Sequence, residues 1–163
     1  MIFVTVGTQM PFDRLVRAVD DWAGVAGVEV EAQTANGSYR PSHVHATPWL
    51  KPDEFRARLE RADAVIGHAG MGTILSALEF GKPLLVLPRR GHLGETRNDH
   101  QVATARRFGE RCWVLVAQTE KHVAPLATQL LERAEGTRVP TAASESLVRR
   151  IRDFLDASRK GGG

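Results

Sequence analysis

Residues Gly67-His68-Ala69-Gly70-Met71-Gly72-Thr73 join a strand-like run, Ala64-Val65-Ile66, to a helix-like run that closes at Gly81-Lys82-Pro83. A glycine-rich turn of this kind aims the free backbone N–H groups of a helix N-terminus at one point, which is how α/β proteins hold phosphate. A tight strand-to-helix turn without a ligand is the plainer alternative. Two familiar phosphate fingerprints do not fit. The Walker pattern ends in Gly-Lys-Ser/Thr, whereas Gly81-Lys82 is followed by Pro83 at a helix end. The dinucleotide pattern G-x-G-x-x-G, laid on Gly70 and Gly72, meets Leu75 in place of its third glycine. The sequence therefore reads as neither an ATPase nor an NAD enzyme.

Other reactive groups narrow the chemistry. The single cysteine, Cys112, excludes an intrachain disulfide, and the apolar run after it makes it a candidate buried strand residue in a reducing, cytoplasmic protein. His43, His45, His68, His92, His100 and His122 lack zinc-ligand spacing, so no metal is expected, and no cofactor. The formal net charge of +3 comes with arginines gathered at Arg89, Arg90, Arg97, Arg106, Arg107 and Arg111. A solvated basic face, an anionic lipid surface and an anionic small substrate all suit that charge. Aromatic residues make up only 6% of the chain and form no platform among the basic ones, so no nucleic-acid partner is expected.

The elements that must position these groups alternate along the chain. Ile2 to Val6 reads as a buried strand, and Phe12, Leu15, Val16, Val19 and Trp22 then recur at helical spacing. Strands are predicted over 28–32 and 44–47, a helix over 52–61, and a strand over 64–66. A helix over 72–80, a strand over 84–87, a helix over 97–108 and a strand over 112–116 follow. Helices near 124–134 and 145–157 close the chain; the last carries Leu147, Val148, Ile151, Phe154 and Leu155 on one face, which either packs on the core or docks a partner. Such alternation predicts an α/β fold: a Rossmann-like parallel sheet with helices on both faces. At 163 residues the chain suits one domain, with 1–158 as the domain and 159–163 as a flexible tail. No apolar run approaches the roughly 18–20 residues that cross a bilayer.

Ligands in such sheets sit beyond the carboxyl ends of the strands. This places three loops on one rim: Gly7-Thr8-Gln9, residues 67–73, and the stretch from Arg89 to His100, which leads into Asn98-Asp99-His100-Gln101. The segments from Phe3 to Gln9, His68 to Leu75, Gly81 to Leu84 and Asn98 to Gln101 resemble, in order and spacing, the donor-binding half of the GT-B glycosyltransferases related to MurG. The resemblance extends to the single-domain PssE type of exopolysaccharide synthesis and to the cytosolic subunit of the dolichol-linked N-acetylglucosaminyltransferase.

The resemblance implies roles. Thr8 with the Gly7 turn, and the backbone of Gly70, Met71, Gly72 and Thr73, would bind the nucleotide diphosphate. The backbone at Leu50 would read uracil, His100 and Gln101 would hold hydroxyls of the transferred sugar, and Gln9 and Asn98 would belong to the same donor site. His68 is either a direct donor contact or a turn histidine satisfied by backbone. Many relatives hold the ribose with a glutamate where this chain has Ser76; Glu79, one turn on, is the alternative. The guanidinium forks of Arg89 and Arg90, with Arg97 nearby, suit a carboxylate, so UDP-glucuronate is the expected donor; the same arginines also suit the diphosphate of a lipid acceptor or a membrane surface. Because the first strand begins at residue 2, the acceptor half is expected on another, membrane-anchored polypeptide, which supplies the general base and recruits this chain to the cytoplasmic membrane face. The expected reaction is inverting transfer to a polyprenyl-diphosphate-linked sugar. A regulatory UDP-sugar-binding module and N-acetylglucosaminyl transfer are the alternatives.

Overall fold

Successive rather than alternating residues are buried in the inner strands, as a sheet covered on both faces requires. The computed structural model describes residues 1–97, 99–111 and 114–136. Ile2–Thr5 (β1) and Leu84–Leu87 (β5) are buried throughout, and Ala64–His68 (β4) is buried up to its last residue. With Val30–Gln33 (β2), His45–Thr47 (β3) and Val114–Val116 (β6) they form one parallel sheet in the order β3-β2-β1-β4-β5-β6. The short β3, exposed at His45 and Ala46, forms one edge, where brevity and polarity discourage unwanted strand pairing.

Strand residues point alternately to two cores. Ile2, Val4, Ala64, Ile66, Leu85 and Leu87 pack with α1 (Asp13–Ala26) and α5 (Val123–Gly136) on one face. Phe3, Val65, Leu84, Val86 and Val114 pack with α2 (Pro52–Arg61), α3 (Met71–Glu79) and α4 (His100–Arg111) on the other. Each fully buried side chain such as Leu84 contributes about 1.5–3 kcal/mol relative to exposure, so both layers are needed to hold the sheet.

The boundaries shift by a few residues from the sequence expectation. β1 stops at Thr5 because Gly7 turns the chain with φ +80°. α4 begins at His100 rather than Arg97. The preceding loop is pinned first: Glu95 N–H donates to the Arg90 carbonyl at 3.3 Å, and Gly91 N–H donates to Asp99 Oδ1 at 2.8 Å. Helix bonds then start from the Asp99 carbonyl. The α2 start is clear in sequence: Pro52 opens the helix and the Glu54 carboxylate accepts from Lys51 N–H at 2.8 Å. The expectations for Asn98, Cys112, the 145–157 helix and the 159–163 tail lie outside the described residues. Among the described residues no helix is long and apolar enough to cross a membrane.

Candidate functional site

The strand order reverses direction between β1 and β4, and in doubly wound sheets the crevice beyond that switch point receives ligands. A cavity of about 660 Å³ opens there. Gly7, Thr8, Gln9 and Met10 line it from the turn after β1; His68, Gly70, Met71, Gly72, Thr73 and Ser76 line it from the end of β4 and the start of α3. Leu50, just before α2, and Pro52 and Phe55, within it, add an apolar stretch of wall, and Arg89, Glu95 and Thr96 contribute from the segment between β5 and α4, with Gln101 from the first turn of α4.

Gly70 is the N-cap of α3, and no side chain caps that end. The first intrahelical bond runs from Ile74 N–H to the Gly70 carbonyl at 3.1 Å. The N–H groups of Met71, Gly72 and Thr73 precede that bond and have no partner within the helix. They form a partial positive end at the cavity, suited to an anion.

His68 sits where the two glycine turns converge. A Cβ on Gly7 would lie 2.7 Å from His68 Cε1, and one on Gly70 would overlap His68 Nε2. Both turns approach the imidazole too closely for a side chain. Nδ1 lies 3.3 Å from the Thr73 hydroxyl. Burial, assisted by the nearby Arg89 guanidinium, drives the His68 pKa from 6.5 down to about 4, although a hydrogen bond with the Thr5 backbone opposes the shift. At neutral pH His68 is therefore an uncharged imidazole in the cavity wall.

Beneath the turn after β1 lies a polar pair. Gly7 N–H donates to Thr5 Oγ1 at 3.2 Å, and that hydroxyl reaches Gln33 Oε1 at 3.4 Å. Gln33, Met10, Phe55 and Thr96 were not anticipated as lining residues. For Gln33 a signal was present: it is the polar last residue of a buried strand, at the carboxyl edge where ligands bind.

Arg89 requires a correction. It was expected to offer its fork to a donor carboxylate. Instead the residue is buried, and both terminal nitrogens are engaged by backbone carbonyls of Val6, Met10, Pro11 and Glu95. Burial brings its pKa down to about 10, with Glu95 opposing, so it remains a cation at neutral pH. Arg90 does not line the cavity; its Nη2 donates to the Gln118 carbonyl at 2.6 Å. Arg97 is exposed. A carboxylate clamp built from these three side chains is therefore absent.

Two further expectations shift. Glu79, the alternative ribose partner, is exposed at the far end of α3, roughly 12 Å along the axis from the cavity end at 1.5 Å per residue. Ser76, by contrast, lines the cavity. His100 is exposed at the start of α4 and does not line the cavity, whereas Gln101 does. Among the described residues no group of three or more His, Cys, Asp or Glu side chains could hold a metal ion.

Comparison with known proteins bears on the family and the fold. The sequence model of the Glycosyltransferase family 28 C-terminal domain matches residues 1–156. The human protein named UDP-N-acetylglucosamine transferase subunit ALG13 is 30% identical over 118 residues, and the match covers 66% of this chain. The chain spans about a tenth of the length of the curated relatives it matches. Among solved structures, Acinetobacter baumannii MurG superposes with a TM-score of 0.60 at 17% identity, over 93% of this chain and 49% of MurG. The glycosyltransferase of kitacinnamycin gives 0.59 at 18%, over 99% of this chain and 40% of that one. At such identities the superpositions establish the shared fold.

Proposed function

The chain belongs to the glycosyltransferase family 28 C-terminal domain family, and from that membership we propose that it is the donor-binding lobe of an inverting UDP-sugar glycosyltransferase. The observation that carries the reading is the convergence of the uncapped α3 N-terminus and the Gly7 turn on one cavity at the β1/β4 switch point. The diphosphate binds to the N–H groups of Met71, Gly72 and Thr73, with Thr8 beside it. The apolar stretch formed by Leu50, Pro52 and Phe55 takes the uracil ring, Ser76 lies toward the ribose, and Gln101 and Thr96 face the sugar.

In the reaction an acceptor hydroxyl forms a bond to the anomeric carbon as the bond to the UDP oxygen breaks. Negative charge grows on the departing diphosphate, and N–H groups already aimed there stabilise it without reorganisation. The acceptor proton passes to a base on an acceptor-binding partner, because the His68 imidazole in the cavity wall is enclosed by the donor turns and the Glu95 carboxylate is held by Arg14 and the Arg90 N–H. The partner is membrane-anchored and presents a polyprenyl-diphosphate-linked sugar at the cytoplasmic face; that the human relative is named a subunit supports a divided enzyme.

For the donor, N-acetylglucosamine is favoured over glucuronate. The name of the human relative supports it, and the engagement of Arg89 by carbonyls removes the residue argument for a carboxylate. Ligand-observed NMR on the chain with UDP, UDP-N-acetylglucosamine, UDP-glucuronate and ADP-glucose tests both levels. Binding of the uridine ligands but not ADP-glucose is expected, without preference for glucuronate. A glucuronate preference would restore the transfer of that sugar in exopolysaccharide synthesis; binding to none, alone and with a coexpressed acceptor subunit, would overturn the donor-lobe reading.

A further inference from the structure

We infer that Arg89 is a positioning residue for donor binding, whose buried guanidinium and own peptide N–H set the Gly7–Gln9 turn and the Gln101 carboxamide in one frame. This rests on the donor-lobe reading above. Nη2 donates to the Val6 carbonyl at 2.8 Å and the Met10 carbonyl at 2.6 Å; Nη1 donates to the Pro11 carbonyl at 2.6 Å and the Glu95 carbonyl at 3.3 Å. Val6 immediately precedes the segment Gly7-Thr8-Gln9 and Met10 immediately follows it. One rigid planar fork thus closes the turn across its base. A lysine ammonium, a single nitrogen on a flexible stem, cannot span the same four acceptors. The Phe12 ring, 4.6 Å from the guanidinium carbon, fixes the plane of the fork.

The backbone of the same residue acts on the sugar side. Arg89 N–H donates to Gln101 Oε1 at 3.2 Å, which orients the carboxamide and leaves its NH2 as the end available to a ligand. Glu95 extends the frame to α1: its carboxylate accepts from Arg14 Nε at 2.7 Å, from Arg14 Nη2 at 2.8 Å and from Arg90 N–H at 2.9 Å. The turn that meets the diphosphate and the loop that meets the sugar are therefore tied through one residue, by its guanidinium on one side and its peptide N–H on the other, neither of which need touch the donor itself.

The test uses the full chain, with UDP as probe, by NMR. In the wild type the Nη protons of one arginine should exchange slowly with and without UDP, and the Gly7–Gln9 amides should be rigid. In Arg89→Lys, which keeps the charge, the Gly7, Thr8 and Gln9 amides and the Gln101 side-chain NH2 should shift or broaden while β2 and α2 signals stay. UDP affinity should fall about tenfold or more, the scale of a lost charge-assisted contact. A lysine variant that binds UDP as the wild type does, with unmoved loop signals, overturns the inference. If that variant does not fold, wild-type Nη exchange decides: slow exchange with a rigid turn supports the inference, and exchange as fast as in free arginine overturns it. A wild type that binds no UDP, alone and with a coexpressed acceptor subunit, defeats the donor-lobe reading and the positioning claim together, whereas equal binding by wild type and variant defeats the positioning claim alone.

Discussion

Gly70 and Gly72 stand two residues apart in one turn, yet only one of them is enclosed. A Cβ on Gly70 would overlap the His68 ring, while one on Gly72 would meet nothing within 4 Å. Gly70→Ala should therefore lower stability by about 1–3 kcal/mol, as overpacking does, measured by urea unfolding. Gly72→Ala should leave stability unchanged or raised by up to about 1 kcal/mol from helix propensity. If the diphosphate rests on the α3 N-terminus, the same Gly72→Ala should weaken UDP binding in a titration; undiminished affinity would separate the helix end from the ligand. His68 supplies a pH signature. Its folded pKa of about 4 lies below the ordinary 6.5, so the unfolded chain binds the extra proton first as pH falls. The favourable contribution is complete above 6.5 and is lost as pH falls from there to about 4, by about 3 kcal/mol. Urea unfolding from pH 7 to 4 should show that slope in the wild type, and His68→Gln should flatten it.

α1 does more than cover the sheet, because its carboxylates fasten the loop that leads to β3. Asp20 is buried and accepts from Ser42 N–H at 3.0 Å, His43 N–H at 2.7 Å and the Tyr39 hydroxyl at 2.8 Å. Burial pushes its carboxyl up, but these donors outweigh it and the net shift is downward. Asp13 holds Ser38 and Tyr39 in the same way. Asp20→Ala leaves buried N–H groups without acceptors and should cost about 3 kcal/mol in urea unfolding. A loss below about 0.5 kcal/mol, the range of ordinary surface changes, would show that water replaces the carboxylate. β3 lacks a buried face of its own, and Val44, just before it, is the residue of this region that joins the core. The clasp therefore fixes the approach to the edge strand, while the ladder to β2, from Glu31–His45 to Gln33–Thr47, sets its register.

At the scale of the molecule, one sheet and two cores bring segments distant in sequence to a single crevice. Thr5, His68 and Arg89 all border it, although the guanidinium of Arg89 and the Val6 carbonyl it holds lie 83 residues apart in sequence. A ligand that binds only the folded chain stabilises it by about 2.7 kcal/mol at a hundred times its Kd. For a domain of this size that corresponds to a rise in Tm of roughly 5–10 °C. Thermal unfolding with saturating UDP should show this rise, and ADP should not reproduce it. An equal rise with both nucleotides would mean that the cavity reads diphosphate without reading the base.

Local chemistry wrote much of this fold into the sequence. Continuous apolar strands alternating with amphipathic stretches specify a covered parallel sheet, and a glycine-rich turn between strand and helix marks the end of the sheet where the cavity opens; both are short-range patterns that any reader of the chain can find. The same holds for α2, whose Pro52 and Glu54 define its start. The fate of the arginines was not written there. A guanidinium suits a carboxylate and a set of carbonyls equally well by residue type, and only the folded path of the chain after β1 brings the Val6, Met10 and Pro11 carbonyls to Arg89, where Glu95 of its own loop supplies a fourth. Likewise the enclosure of His68 by Gly7 and Gly70, and with it the neutral imidazole, depends on two turns meeting across neighbouring strands. Residue pattern determines which elements form; partners are chosen by which ends of those elements the sheet order sets side by side.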